Sequence, residues 1–233
     1  MRTAGSCSSR WMPTQAPEPF QTYLSRSLAI SIVPGNTTAG KSALKAICPV
    51  LLPVAPDKRS LSGREKVSYL SAHARKALAL SAREAGIALG ALEKNDAGAP
   101  RPSNGYYWSV AHKPDYAAAV AADVPIGIDL EKIRAVAPGL YNKIADKSEW
   151  LLGHEDREHL FFRYWTAKEA VLKVAGTGIR ELAHCRVTGV VDARLIGLDF
   201  KGKPFQVRQF FHDRHVIAVV DVGCPIELKR IDS

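Results

Sequence analysis

Between Arg186 and Val222 the chain breaks into four short strand-like segments, 186–191, 194–200, 204–211 and 215–222, separated by only a few residues each. Segments this close leave no room for crossover helices, so they must pair antiparallel as a meander. Ahead of them runs a helical pattern from Ala145 to Val174, closed by Gly176-Thr177-Gly178. A second long helical pattern covers Leu61 to Leu92, with Val67, Leu70, Ala74, Ala77, Leu78 and Ser81 on one face and Ser62 as its N-cap. Between the helices, Tyr106–Ala111 and Tyr116–Ala122 alternate like a hairpin around Lys113-Pro114-Asp115, and Ile126–Glu131 makes a further strand. This mixture predicts an α+β fold. The loop Asn95–Asn104 is rich in Gly, Pro and Asn and marks the best internal boundary.

The first part of the chain reads differently. Residues 1–45 predict an irregular N-terminal extension with no secretory-type apolar stretch. An apolar run, 28–33, precedes Gly35-Asn36-Thr37-Thr38-Ala39-Gly40-Lys41-Ser42, which fits the phosphate-loop pattern at every fixed position. Such a loop needs a helix of several turns behind it to hold phosphates, and Pro49 cuts that helix short. No apolar strand ending in Asp and flanked by further βα units follows downstream. The segment therefore reads as a connecting loop, with a P-loop nucleotide-binding protein as the alternative. The next apolar segment, 47–54, holds Pro49 and Pro53, which predicts at most an edge strand.

Charge narrows the partners. The 233 residues carry a net charge of +9, so an anionic partner is expected. No RGG run, helix-turn-helix pattern or RNP-like aromatic motif points to nucleic acid, and no apolar run reaches membrane-spanning length. A non-catalytic phosphate- or nucleic-acid-binding protein remains the alternative on charge alone. The four cysteines show no metal-ligand spacing and read as thiols of a reducing cytoplasm.

Two segments carry chemistry. In Gly127-Ile128-Asp129-Leu130-Glu131, period-2 geometry puts Asp129 and Glu131 on one face and turns Ile128 and Leu130 into the core. Two carboxylates this close are either solvated acids or oxygen ligands of a hard dication such as Mg²⁺. In Trp165-Thr166-Ala167-Lys168-Glu169-Ala170-Val171-Leu172-Lys173, the residues Trp165, Glu169 and Lys173 fall on one helical stripe. That stripe is either an ion pair beside a core tryptophan or the wall of a site.

Together the two segments resemble the surfactin-type 4′-phosphopantetheinyl transferases, marked by a G-[IV]-D-x-E strand followed by a W-x-x-K-E-x-x-x-K helix. Ser109-Val110-Ala111-His112-Lys113 is similar to the family's upstream S-H-S-like segment, and Glu149 to a glutamate before the second helix. Ala111 and Lys113 depart from the serines usual there. The resemblance implies a pseudo-twofold pair of similar α/β halves, which we divide into 46–124 and 125–233, the latter carrying the metal site. It implies Mg²⁺ held by Asp129, Glu131 and Glu169 against the pyrophosphate of coenzyme A. It further implies transfer of the phosphopantetheine arm to a serine of an acidic acyl or peptidyl carrier protein, with release of adenosine 3′,5′-bisphosphate. Glu169 or Glu131 would take the serine proton, and Lys173, helped by Lys168, would neutralise phosphate oxygens. Coenzyme A contacts would come from Ser109, His112 and Lys113, with Arg64, Lys66 and Arg75 on the adenine-side phosphates. On its own, a strand histidine such as His112 is more often a satisfied structural one. The length fits the monomeric, two-lobed members of the family, and no nucleic acid or membrane partner is implied.

Overall fold

The computed structural model describes residues 46–96 and 98–232, so the extension, the 28–33 run and the phosphate-loop pattern with Lys41 lie outside the described residues. Two sheets, the first mixed through its parallel β1–β9 pair and the second antiparallel, are each backed by one long helix. The first has the order β2-β3-β1-β9, built from β1 (Val50–Pro53), β2 (Tyr107–His112), β3 (Tyr116–Ala122) and β9 (Lys229–Arg230). The second has the order β4-β8-β7-β6-β5, with β4 (Ile128–Lys132), β5 (Cys185–Asp192), β6 (Leu195–Phe200), β7 (Lys203–His212) and β8 (His215–Asp221). Strands β5 to β8 form the expected meander, and the α+β class is borne out.

The layers follow from which residues alternate. On the outer face of the first sheet, Ala117, Ala119 and Ala121 meet Ala74, Ala77 and Leu78 of α1 (Gly63–Ala85). Alanines on both sides let helix and sheet approach closely, and added bulk there would cost about 1–3 kcal/mol. The inner face packs on the second sheet, joining Leu51, Ala118 and Val120 to Ile128, Leu130, Ile217 and Val219. The far face of the second sheet, with Ile196, Val207, Val216 and Ala218, receives Tyr164, Ala167 and Val171 of α4 (Arg157–Ala175). Strand β8 is sandwiched between both layers, which is why His215–Val220 is buried throughout.

Several local expectations change. The helix predicted over 61–92 ends at Ala85, where Gly86 at φ 64° supplies the left-handed turn. Ser62 occupies the N-cap position but makes no capping hydrogen bond, and Val67, expected on the buried face, is 62% exposed. The pattern over 145–174 divides into α3 (Lys147–Trp150) and α4, preceded by α2 (Pro138–Ile144). Asp146 caps α3 in a capping box with Glu149, and Asp156 caps α4 through the N–H groups of Glu158 and His159. Strand β1 is not an edge: β3 pairs with it on one side and the two-residue β9 on the other. Pro49 precedes the strand and Pro53 ends it, so neither removes a donor from its middle.

Candidate functional site

Strand β4 and helix α4 are brought together by a glycine. A Cβ on Gly127 would stand 2.0 Å from the carbonyl oxygen of Ala170, so only glycine lets the helix lie this close to the strand entrance. The close approach sets Glu169 and Lys173 opposite Asp129 and Glu131. From Phe161 to Lys173, only Trp165, Glu169 and Lys173 are not fully buried. The stripe read from the sequence is thus the one face of that stretch open to the site.

Asp129 is 7% exposed. Its Oδ1 accepts a hydrogen bond from Lys173 Nζ at 2.8 Å, while its Oδ2 is buried without a hydrogen-bond partner among the described residues. Lys173 also donates to the carbonyls of Ile128 at 2.8 Å and Val110 at 3.3 Å, so its ammonium stitches α4 to a strand of each sheet. Glu131 Oε1 accepts from Trp165 Nε1 at 2.9 Å and pairs with Lys113 Nζ at 2.6 Å. Burial first, then the carboxylate of Asp129, raises the pKa of Glu169 above its ordinary value; Glu131 adds to this and Lys173 and Lys113 oppose it. Three carboxylates and two ammonium groups therefore share one electrostatic cluster.

The donor set, all carboxylate oxygen, suits a hard dication, and Asp129 Oδ2, buried with no hydrogen-bond partner among the described residues, has lone pairs such an ion could take. Asp129, Glu131 and Glu169 fit Mg²⁺ in kind. Among the described residues, however, no three His, Cys, Asp or Glu groups stand arranged to hold an ion as they are. Lys113 and Lys173 hold Glu131 and Asp129 instead.

The remaining expected contacts separate into two groups. His112, half-buried at the end of β2, has its pKa lowered by burial and then by the Lys113, Lys173 and Lys94 ammonium groups. It sits in a basic corner formed by these lysines. Lys113, expected at a phosphate of coenzyme A, turns to Glu131. Ser109 is buried, and its hydroxyl accepts the Ile128 N–H at 3.1 Å, which makes it a strut between β2 and β4 and not a ligand contact. Lys168 is 2% exposed and donates to Ile144 O at 2.6 Å and Glu149 Oε1 at 2.7 Å. One residue along a helix turns the side chain about 100°, so Lys168 faces away from the cluster that Glu169 joins. Glu149, its partner, also accepts the Val187 N–H at 2.7 Å and closes a buried polar network. Arg64 and Arg75 are exposed and Lys66 half-buried on α1, across the first sheet from β4, and none forms an ion pair with a described residue.

Two participants escape a reading of sequence spacing. Trp165 lies on the expected stripe, yet its indole N–H as a donor to Glu131 is visible only in three dimensions. A groove of about 550 Å³ opens beside Glu131 and Trp165, with Val136, Leu140 and Ile179 in its wall and Arg134 and Lys143 among its lining residues. Its residues come from the linker after β4, α2, α4 and the 3₁₀ turn at Ile179–His184, which no single sequence window brings together.

Residues 125–220 match the family model of the 4′-phosphopantetheinyl transferase superfamily. The chain is 32% identical over 78 residues to the 4′-phosphopantetheinyl transferase psf-1 of Bacillus pumilus, a stretch covering 32% of this chain and 34% of that protein. It is 34% identical over 91 residues to the 4′-phosphopantetheinyl transferase HetI of Nostoc sp., covering 36% and 38%. To the 4′-phosphopantetheinyl transferase ffp of Bacillus subtilis it is 26% identical over 77 residues, covering 31% and 34%. The chain thus matches little more than a third of the length of these relatives. The model match takes in the Gly127–Glu131 strand, the Trp165–Lys173 helix and the Gly127–Ala170 contact that joins them. It is over residues 125–220, which hold both of these segments, that the chain is similar to the 4′-phosphopantetheinyl transferase superfamily.

Proposed function

We propose that this protein transfers the 4′-phosphopantetheine arm of coenzyme A to a serine of an apo acyl or peptidyl carrier protein. The observation that carries the reading is the cluster of Asp129, Glu131, Glu169 and Lys173 inside the segment that matches the superfamily, which Lys113 joins from the β2–β3 turn ahead of that segment. The serine oxygen attacks the phosphorus bearing the pantetheine arm, the bond to the bridging pyrophosphate oxygen breaks, and adenosine 3′,5′-bisphosphate leaves. Asp129, Glu131 and Glu169 would hold Mg²⁺, which when bound supplies charge stabilisation for the phosphoryl group and the leaving group.

The side chains divide the remaining work. Glu169, whose carboxylate holds a proton more readily than usual, takes the serine proton. Lys173 orients Asp129, and Trp165 orients Glu131. His112, in its basic corner, meets the 3′-phosphate of coenzyme A, whose charge favours the imidazolium. The apolar groove with Arg134 and Lys143 receives the acidic carrier beside the reacting phosphate. We place the reaction in the cytoplasm, with the protein acting as a monomer; among the described residues no helix is long and apolar enough to cross a membrane.

Mass spectrometry of apo carrier proteins incubated with this protein, coenzyme A and Mg²⁺ tests the reading. A gain of one phosphopantetheinyl group on the carrier is the expected result. Binding of coenzyme A without that gain would leave a non-catalytic phosphate-binding protein.

A further inference from the structure

Lys113 stands in a place where its charge has a consequence of its own. It belongs to the turn between β2 and β3, with its backbone N–H on Tyr116 O at 2.8 Å, and its side chain is about a third exposed. From there its ammonium reaches the second sheet and pairs with Glu131 at 2.6 Å. Lys173 does the same to Asp129 from α4, at 2.8 Å. Three negative and two positive groups leave the cluster a single net negative charge. A dication approaching it meets two ammonium groups already on two of its three ligands, and like charges at such distances are strongly unfavourable.

The two lysines are not equivalent. Lys173 is held by two backbone carbonyls in addition to Asp129, so its position is set by the fold. Lys113 has Glu131 as its one ion-pair partner among the described residues and sits on a turn, so it exchanges that partner without disturbing a strand. A phosphate oxygen is a competent rival for it, because an ammonium pairs with phosphate at least as well as with carboxylate. Beside it, Asp129 keeps its buried Oδ2 without a hydrogen-bond partner among the described residues, so that this oxygen needs no exchange of partner.

We propose that Lys113 is a partner-exchanging cation: it caps Glu131 in the ligand-free protein and moves to the diphosphate when that ligand enters. The exchange releases Glu131 for the divalent ion. The ion and the diphosphate therefore bind cooperatively, each strengthening the other by the same factor, and the ion does not occupy the site appreciably beforehand. The inference rests on the proposed coenzyme A reading for the identity of the diphosphate. Its core, that Lys113 competes with a dication for Glu131, does not.

The test is binding of Mn²⁺ to the whole protein, followed by the electron paramagnetic resonance signal of the free ion, with and without coenzyme A and corrected for Mn²⁺ bound by coenzyme A alone. The wild type should bind Mn²⁺ about tenfold or more tightly when coenzyme A is present, within the usual range of coupling between sites. Lys113→Met keeps the apolar stem and removes the charge. It should tighten Mn²⁺ alone about fivefold or more and shrink the effect of coenzyme A accordingly. Lys113→Arg should keep the wild-type pattern, and equal melting temperatures would show that neither variant alters the fold. Unchanged or weaker Mn²⁺ binding by Lys113→Met would overturn the competition. If coenzyme A leaves wild-type Mn²⁺ binding unchanged while Lys113→Met still tightens it, the coupling to that diphosphate is lost and the competition stands. A failed transfer assay bears on the proposed activity alone.

Discussion

Gly127 and Ala170 touch at a distance no other residue pair at that position could reach: a side-chain carbon on Gly127 would fall 2.0 Å from the Ala170 carbonyl oxygen. The contact ties the start of β4 to the middle of α4, and every carboxylate of the cluster lies within a few residues of it. Gly127→Ala should push the helix outward, cost roughly 1–3 kcal/mol of stability, and reduce transfer because Glu169 is carried away from Asp129. Urea unfolding measures the first effect and the carrier assay the second. An unchanged midpoint would mean the helix yields without penalty.

Glu169 links stability to activity with opposite signs. Its raised pKa means the folded state binds that proton more tightly than the unfolded chain does. The stabilisation is fully present below the ordinary value of 4.5 and is lost as pH rises through the raised one, so at neutral pH the ionised group is a cost. Glu169→Gln should raise the melting temperature at pH 7 while lowering transfer by roughly 10²–10⁴-fold. A variant that is both less stable and fully active would contradict the assignment.

Lys168 should behave as a structural residue despite its place beside Glu169. Removing its charge leaves Glu149 buried among the Val187 N–H and the Asp146 cap without its ammonium, a loss of roughly 3–5 kcal/mol. Lys168→Met should lower the melting temperature strongly, and adding Glu149→Gln should recover much of the loss. If Lys168→Met instead changes the KM for coenzyme A at unaltered stability, the residue acts in the site.

His112 separates the two substrates that differ only in a 3′-phosphate. His112→Ala should weaken coenzyme A several-fold more than 3′-dephospho-coenzyme A, because only the former offers the imidazole an anion. Equal losses for both would make His112 a packing residue of the hairpin.

His215 supplies an acid-sensitive term away from the site. It is fully buried, donates through Nδ1 to Asp213 O at 2.7 Å, and has its pKa lowered mainly by burial. The unfolded chain therefore takes up the proton first as pH falls below 6.5, and stability drops between 6.5 and the lowered value. Asp115, held below 3.8 chiefly by Lys132, contributes only at lower pH. The melting temperature should fall between pH 7.5 and 5.5, and by less in His215→Phe. Parallel curves for the two proteins would remove His215 as the source.

The sequence by itself determined what lies within single elements. The shared face of Asp129 and Glu131, the stripe of Trp165, Glu169 and Lys173, and the meander after Cys185 are periodicities, and backbone geometry imposes those before any tertiary contact forms. The end of α4 was legible at Gly176, but the boundaries at Gly86 and Asp156 were not: the expected helices run on to Leu92 and back to Ala145, where α3 and a break precede α4. Only the tertiary structure decided the partners. Lys113 meets Glu131, Lys168 meets Glu149, Lys173 meets three acceptors on two strands, and Ser109 disappears into a strand contact. A lysine's flexible stem reaches in many directions from one backbone position, and which acceptor it finds depends on elements far apart in the chain. Strand β1 makes the same point: its prolines argue for an edge, but β9, brought back from the end of the chain, pairs along the side that they leave open.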